Sequence, residues 1–221
     1  MTESTRSKLV PEMEGAVARW YARNRGSRPQ LRAYREQARQ LMAGYPAGTA
    51  VLEVAPGPGY FAIEVARLGH HVTCLDISRT FVEIATGNAA AAGVAVDVRH
   101  GDVSAMPFEE GSFDLVVCQA AFKNFTRPVA ALDEMHRVLR PGGVAAIQDL
   151  SRDATAADIA AEVRRMEIGP VASAMTRRTL AWLRRRAYSR TTFTELAAAS
   201  TFGACTVQAD GIGIEIRLTR A

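Results

Sequence analysis

Hydrophobic and polar positions follow two alternating periods through the middle of the chain. Between residues 49 and 150, short apolar runs bounded by Gly, Pro or Asp alternate with segments whose apolar residues recur every three or four positions. Runs of this length predict strands, and the longer period predicts amphipathic helices. The five predicted strands are 49–55, 71–76, 94–99, 113–118 and 144–150. Strand and helix alternating with short connections predict a parallel sheet with helices on both faces.

The two ends of the chain have different patterns. After Pro29, an apolar stripe of Leu31, Tyr34, Ala38 and Leu41 predicts an N-terminal helix. Beyond residue 150 the pattern predicts helices over 158–166 and 179–188. The last residues predict two strands around an Asp-Gly turn at 210–211.

Composition limits the class of protein. The chain has 221 residues, 48% hydrophobic and 23% charged, which is typical of a soluble globular domain. We see neither an apolar run of about 18 residues nor a secretory leader, and we therefore expect a cytoplasmic protein without a membrane span. Cys74, Cys118 and Cys205 lie far apart, which argues against a disulfide framework and against a metal site.

Charge is distributed unevenly along the chain. Residues 1–45 carry nine basic and four acidic residues, 46–150 seven and twelve, and 151–221 eleven and seven. The acidic middle suggests a different role from the basic ends.

Small residues follow the first predicted strand at Ala55, Gly57 and Gly59, where a ligand can approach the backbone and the next helix begins. Asp76 ends the second strand, where a carboxylate can bind both hydroxyls of a ribose, and Asp102 ends the third. These positions predict a nucleotide-like ligand. The order Gly57-Pro-Gly-Tyr-Phe-Ala62 also fits the dinucleotide pattern G-x-G-x-x-A, but Asp76 meets the acid of that pattern only loosely.

Residues 52–59, Leu-Glu-Val-Ala-Pro-Gly-Pro-Gly, resemble motif I of the class I S-adenosylmethionine-dependent methyltransferases. Four further segments resemble later motifs of that family in the family's order, at 75–78, 101–102, 106–117 and 134–143. Five motifs in order favour this family over the dehydrogenases. Ala55 is a departure, because the family commonly has glycine there. A weaker similarity, carried by a basic residue and an Asn at 123–124, is to the quinone-biosynthesis C-methyltransferases.

The resemblance implies a Rossmann-like methyltransferase fold, with a mostly parallel seven-stranded sheet, helices on both faces and a helical cap. It divides the chain into an N-terminal helical lid (1–45), a core that binds S-adenosylmethionine (46–150), an acceptor cap (151–200) and a β-hairpin that completes the sheet (201–221).

The resemblance also assigns residues to the donor, S-adenosylmethionine, whose product is S-adenosylhomocysteine. Asp76 would bind the ribose, Ile77 and Val103 would pack beside the adenine, and Asp102 would accept a hydrogen bond from its amino group. The remaining residues implied in donor binding are Glu53, Ala55, Gly57, Gly59 and Gln119. The N-terminal Trp20 and Tyr21 are candidates to close over the donor.

Candidates for the chemistry are few. Asp149 ends the fifth strand on the side of the expected reaction, and Lys123 and Asn124 follow the fourth strand near the expected methyl group. Each has a structural alternative: Lys123 and Asn124 could simply belong to a loop that leads into a helix. A base is needed only if the acceptor carries a proton at neutral pH.

The sequence therefore predicts transfer of a methyl group to carbon or oxygen of a small aromatic or quinone-like metabolite. The alternatives are a nucleic-acid methyltransferase, which the absence of a recognisable nucleic-acid module disfavours, and a non-catalytic protein that binds S-adenosylmethionine. A homodimer is left open.

Overall fold

A computed structural model describes residues 13–221 and confirms the α/β fold with one seven-stranded sheet. The first twelve residues of the predicted lid lie outside the described part. The strands run in the order β3-β2-β1-β4-β5-β7-β6. Their bounds are β1 Ala50–Val54, β2 His71–Asp76, β3 Val96–His100, β4 Phe113–Gln119, β5 Leu139–Leu150, β6 Thr206–Asp210 and β7 Gly213–Thr219. The first five strands are parallel, and β7 is antiparallel to both β5 and β6.

Eight helices surround this sheet in the described part of the chain. Their bounds are α1 Gly15–Arg25, α2 Arg28–Met42, α3 Tyr60–Arg67, α4 Arg79–Ala91, α5 Pro128–Val138, α6 Ala156–Arg165, α7 Pro170–Arg184 and α8 Arg190–Ala199. A short 3₁₀ turn, Phe122–Asn124, follows β4.

Alternation along each strand gives the sheet two apolar faces. On one face Val51, Val117 and Ala146 pack with residues of α2 and α3, and on the other Leu52 and Ile147 pack with residues of α5 and α8. Burial on both faces explains why the central strands read as nearly continuous apolar runs. It also leaves the carboxyl ends of the parallel strands as the place where polar side chains meet.

Helix α8 was not predicted from the sequence, and two other elements begin well away from their predicted first residues. Helix α7 begins at Pro170 rather than at 179, because Gly169 caps it and proline is favoured in the first turn. Strand β5 begins at Leu139, before the Pro-Gly-Gly segment, rather than at 144. Pairing with β4 shifts register between Phe113 and Leu115, and this irregularity accommodates the extra residues.

Among residues 13–221, no helix combines the length and the apolar character that crossing a membrane would require.

Candidate active site

The loop between β1 and α3 has left-handed backbone at three positions. Ala55, Gly57 and Gly59 have φ angles of 54°, 56° and 76°. Only Ala55 carries a Cβ there, at a cost of about 1–2 kcal/mol. A Cβ on Gly59 would lie 2.9 Å from that of Ala85 on α4, whereas a Cβ on Gly57 would meet only a ring carbon of Tyr21 at 4.0 Å. The loop therefore packs tightly at Gly59 and faces open space at Gly57.

Asp76 joins this loop to the end of β2. Its Oδ2 accepts a hydrogen bond from the Gly57 amide at 3.1 Å, and its Oδ1 accepts one from the Ser78 amide at 2.9 Å. Burial raises the pKa of this carboxyl to about 6, although the backbone hydrogen bonds oppose the shift. Each oxygen keeps a second lone pair for a ligand hydroxyl.

Glu53 lies near the end of β1, two residues before Ala55 of the loop. It is only 3% exposed, and its Oε2 has no hydrogen-bond partner among the described residues. Burial raises its pKa to about 8, and the negative charge of Asp76 adds to the shift. A buried carboxyl without a partner is costly, and a ligand donor at this position would remove that cost.

These residues border a cleft of about 350 Å³, a size typical of small-molecule sites. Ile77, 40% exposed, and Val103 line it beyond Asp76. Asp102 lies at its rim, where Oδ1 accepts hydrogen bonds from the amide and the hydroxyl of Ser104, and Oδ2 lies 3.8 Å from the Arg127 guanidinium.

Helices α1 and α2 close the opposite wall of the cleft with an aromatic pair around an arginine. The Arg25 guanidinium carbon lies 5.8 Å from the ring centre of Tyr21 and 5.6 Å from that of Tyr34. Its buried Nε has no hydrogen-bond partner among residues 13–221. Trp20 is instead 60% exposed and does not border the cleft.

Two contacts hold this wall against the core. Glu14 accepts hydrogen bonds from the amides of Arg79 and Thr80, at 2.9 and 3.1 Å, which satisfies the first turn of α4. At the junction of α1 and α2, the Tyr60 hydroxyl fills the position that a Cβ on Gly26 would occupy. The wall is therefore fixed to α3 and α4, which also border the cleft.

A second cleft of about 230 Å³ adjoins the first and shares Arg25, Tyr34, Gln119 and Ala120 with it. Its floor is a polar row across three strands, because Gln119, Gln148 and Glu215 are direct neighbours in the sheet register.

Hydrogen bonds link this row. The Gln119 amide donates to Gln148 at 3.3 Å, and the Gln148 amide donates to Glu215 at 3.2 Å. Gln37 of α2 and Ile214 complete the walls of the second cleft. The second cleft is thus able to bind a molecule that both donates and accepts hydrogen bonds.

Two of the three residues predicted for chemistry pair with each other in the structure, and the third lies apart from them at the first cleft. Lys123 and Asp149 are 8% and 5% exposed and form an ion pair at 2.8 Å. The Lys123 ammonium also donates to the Ala120 carbonyl, and the Asp149 carboxylate accepts from the Lys123 and Leu150 amides at 3.0 and 2.7 Å. Asp149 borders the second cleft, Asn124 borders the first, and Lys123 borders neither.

The structure brings the predicted donor-binding residues together. Eight of the nine border the first cleft, namely Glu53, Ala55, Gly57, Asp76, Ile77, Asp102, Val103 and Gln119. Gly59 lies in the loop but packs against α4. Their individual roles towards a ligand remain predictions.

Four residues that border the clefts were not predicted as site residues from the sequence, namely Arg25, Tyr34, Gln148 and Glu215. A partial signal existed, because Arg25 lies one helical turn after Tyr21, and Glu215 lies in a strand of strict apolar-polar alternation.

The first cleft fits S-adenosylmethionine. A buried, unpartnered carboxyl oxygen at Glu53 suits a ligand ammonium, the Asp76 carboxylate suits ribose hydroxyls, and the open space at Gly57 admits a ligand against the backbone. Residues 13–221 contain no cluster of three or more His, Cys, Asp or Glu side chains that could hold a metal ion.

Comparison with known proteins supports the same class. The profile of the family described as "Methyltransferase domain" matches residues 52–147. The chain is 35% identical over 108 residues to a ubiquinone biosynthesis O-methyltransferase of Xanthomonas axonopodis. The matched segment covers 48% of this chain and 45% of that protein. It is 36% identical over 110 residues to the ubiquinone/menaquinone biosynthesis C-methyltransferase UbiE of Roseobacter denitrificans, covering 48% and 44%. The chain thus spans less than half the length of these curated relatives.

Solved structures extend the likeness of fold beyond this segment. A SAM-dependent methyltransferase from Aquifex aeolicus superposes with a TM-score of 0.68 at 16% identity, covering 91% of this chain and 98% of that one. The [4+2]-cyclase SpnF superposes with a TM-score of 0.53 at 25% identity, covering 57% and 47%. The predicted resemblance to S-adenosylmethionine-dependent methyltransferases is therefore confirmed, and residues 52–147 are the segment that matches the family described as "Methyltransferase domain".

Proposed function

We propose that this protein transfers a methyl group from S-adenosylmethionine to a small-molecule acceptor. The observation that carries the proposal is the first cleft, where Glu53, Gly57 and Asp76 converge at the carboxyl ends of β1 and β2. Similarity to a [4+2]-cyclase means that fold alone does not define methyl transfer, and the residues at the cleft therefore carry the argument.

The protein's residues bind and orient. The donor supplies a methyl group already activated by a positively charged sulfur. Asp76 would hold the ribose and Glu53 the ammonium group, while Tyr21, Arg25 and Tyr34 would exclude water from the side opposite the loop. Positioning and exclusion of water can supply much of the rate acceleration in such a reaction.

The acceptor would bind in the second cleft, which adjoins the first at Gln119 and Ala120. Tyr34 offers apolar surface, and Gln148 and Glu215 offer hydrogen bonds. A hydroxylated aromatic ring, such as a quinol, matches both properties and agrees with the names of the curated relatives. Asp149 is held by Lys123, and the Glu215 carboxylate, which pairs with the partly exposed Arg217 at 2.7 Å, is the candidate to accept a proton from an acceptor hydroxyl.

Calorimetry with S-adenosylmethionine, S-adenosylhomocysteine and NAD tests donor binding first. We expect the first two to bind and NAD not to bind. Asp76→Asn should weaken S-adenosylhomocysteine about 10- to 100-fold, because it loses charged hydrogen bonds to the ligand. Asp97→Asn, which alters an exposed carboxylate on neighbouring β3, should bind as the wild type does. Equal affinity of the Asp76 and Asp97 variants would contradict the ribose assignment.

Labelled methyl transfer to a panel of a catechol, a hydroquinone, an amine and a carboxylic acid tests the acceptor class. Gln148→Leu should raise the KM for the acceptor while leaving donor affinity unchanged. A change in donor affinity alone would contradict placement of the acceptor in the second cleft. Donor binding without a methylated product from any member of the panel would contradict the proposed acceptor class.

A further inference from the structure

Helix α7 exposes an apolar stripe made of three large side chains. Val171, Met175 and Trp182 are 74%, 66% and 52% exposed, and their spacing of four and seven residues places them on one face. Met166 and Ile168, in the turn before α7, are 42% and 37% exposed. No residue of α7 is buried, so this face is unpartnered within the described chain.

The same stretch of chain is strongly basic. Residues 170–186 contain no Asp or Glu. They contain five arginines, which are Arg177, Arg178, Arg184, Arg185 and Arg186. Arg178 lies between Met175 and Trp182 on the same face, and Arg185 follows Trp182 by three residues, so both lie beside the apolar side chains. Arginine can lay its alkyl stem along apolar surface and keep its charged group in a polar layer.

We propose that α7 is an interfacial helix that binds the surface of an anionic lipid bilayer. The apolar stripe would enter the boundary between headgroups and acyl chains, and Arg178 and Arg185 would contact lipid phosphates. An exposed tryptophan beside arginines is the side-chain combination that such a boundary favours.

Two other partners could be considered for this face, a second copy of the chain and a nucleic acid, and both are less complementary to it than an anionic bilayer. A second copy of the chain, packed through the same face, would bring two sets of five arginines together. A nucleic acid would attract the arginines but would gain little from the exposed Val171, Met175 and Trp182. An anionic bilayer is complementary to both properties at once.

The proposed surface is separate from the candidate active site. No residue of 166–186 borders either cleft. Bilayer binding would therefore leave both clefts accessible, and the inference stands or fails independently of methyl transfer.

Co-sedimentation with vesicles provides the test. We expect the full chain to bind vesicles of equal parts phosphatidylglycerol and phosphatidylcholine at low salt, to bind pure phosphatidylcholine weakly, and to be released by high salt. In a Trp20→Phe background Trp182 is the remaining tryptophan, and its emission should shift to shorter wavelength on binding.

Matched variants locate the surface. Arg178→Gln with Arg185→Gln should weaken binding to the mixed vesicles roughly thirtyfold. The control replaces Arg32 and Arg39, two exposed arginines of α2, by Gln and should leave binding near the wild-type level. Trp182→Ser should also weaken binding, whereas Trp20→Ser, at a comparably exposed tryptophan of α1, should not. Circular dichroism should show all variants folded, since none of these side chains is buried.

Three results would overturn the proposal. The first is no binding to the anionic vesicles, or equal binding to both kinds of vesicle. The second is equal loss of binding in the α7 and α2 variants. The third is binding to RNA or DNA, or self-association, that depends on Arg178 and Trp182 while vesicles are not bound.

Discussion

Two buried carboxyl groups lie beside each other where β1 and β2 end. Burial is the main cause of the raised pKa of both groups; the backbone amides that donate to Asp76 oppose its shift, and the negative charge of Asp76 adds to the shift of Glu53. Both groups therefore make the stability of the fold depend on pH.

Glu53→Gln should change how stability depends on pH. Between pH 4.5 and about 8, the folded protein keeps the proton on Glu53 while the unfolded chain has lost it. The free energy of unfolding therefore falls as pH rises through this window, by up to about 1.4 kcal/mol per pH unit from this group. Glutamine cannot ionise, so the variant should gain stability relative to the wild type as pH rises.

Thermal or urea unfolding of both proteins across this pH window is the measurement. Glu83→Gln on α4, where the carboxyl is exposed, is the control and should differ from the wild type by a constant amount. A constant difference for Glu53→Gln as well would show that Glu53 does not titrate in this window. The slope from Asp76 is common to all three proteins and largely cancels.

At the scale of elements, the contact between the glycine loop and α4 determines how closely α3 and α4 approach each other at the cleft. Gly59 combines a φ of 76° with a missing Cβ that would lie 2.9 Å from Ala85. Both features require glycine, independently of any ligand.

Gly59→Ala should destabilise the fold by about 2–4 kcal/mol, because left-handed strain and overpacking add. Gly87→Ala is a matched control within α4, where nothing lies within 4 Å of an added Cβ, and it should stabilise by about 0.5–1 kcal/mol. Urea unfolding of both variants checks the prediction. A Gly59→Ala protein as stable as the wild type would contradict this packing.

The Lys123–Asp149 ion pair ties the 3₁₀ turn after β4 to the end of β5. Lys123→Met should cost about 3–5 kcal/mol, because Asp149 is left buried without its cation. Adding Asp149→Leu to that variant should restore much of the loss, since no uncompensated charge remains. Unfolding measurements of the single and double variants give the comparison. A double variant no more stable than Lys123→Met would contradict an ion pair whose main role is structural.

At the scale of the whole molecule, predictability follows the range of the interactions. The strands from β1 to β4, the glycine loop and Asp76 depend on local pattern and on short connections, and the sequence predicted them. The polar row of Gln148 and Glu215 depends on antiparallel register between residues 67 positions apart, which no local pattern contains. Arg25 likewise enters the cleft only because α1 is fixed to α4 and α3.

Binding of the ligand should therefore stabilise the N-terminal helices and leave the helices after β5 unaffected. Tyr21, Arg25 and Tyr34 border the first cleft, whereas residues 156–184 border neither cleft. Hydrogen exchange with saturating S-adenosylhomocysteine should slow in α1, α2 and the glycine loop, and should stay unchanged in α6 and α7. The melting temperature should rise by about 5–10 °C when the ligand is at a hundred times its dissociation constant. NAD at the same concentration should leave both readouts unchanged.

The opposite pattern would contradict a lid formed by the N-terminal helices. If hydrogen exchange became slower in α6 and α7 and stayed unchanged in α1 and α2, the lid would be the segment after β5, because the ligand orders the elements that enclose it.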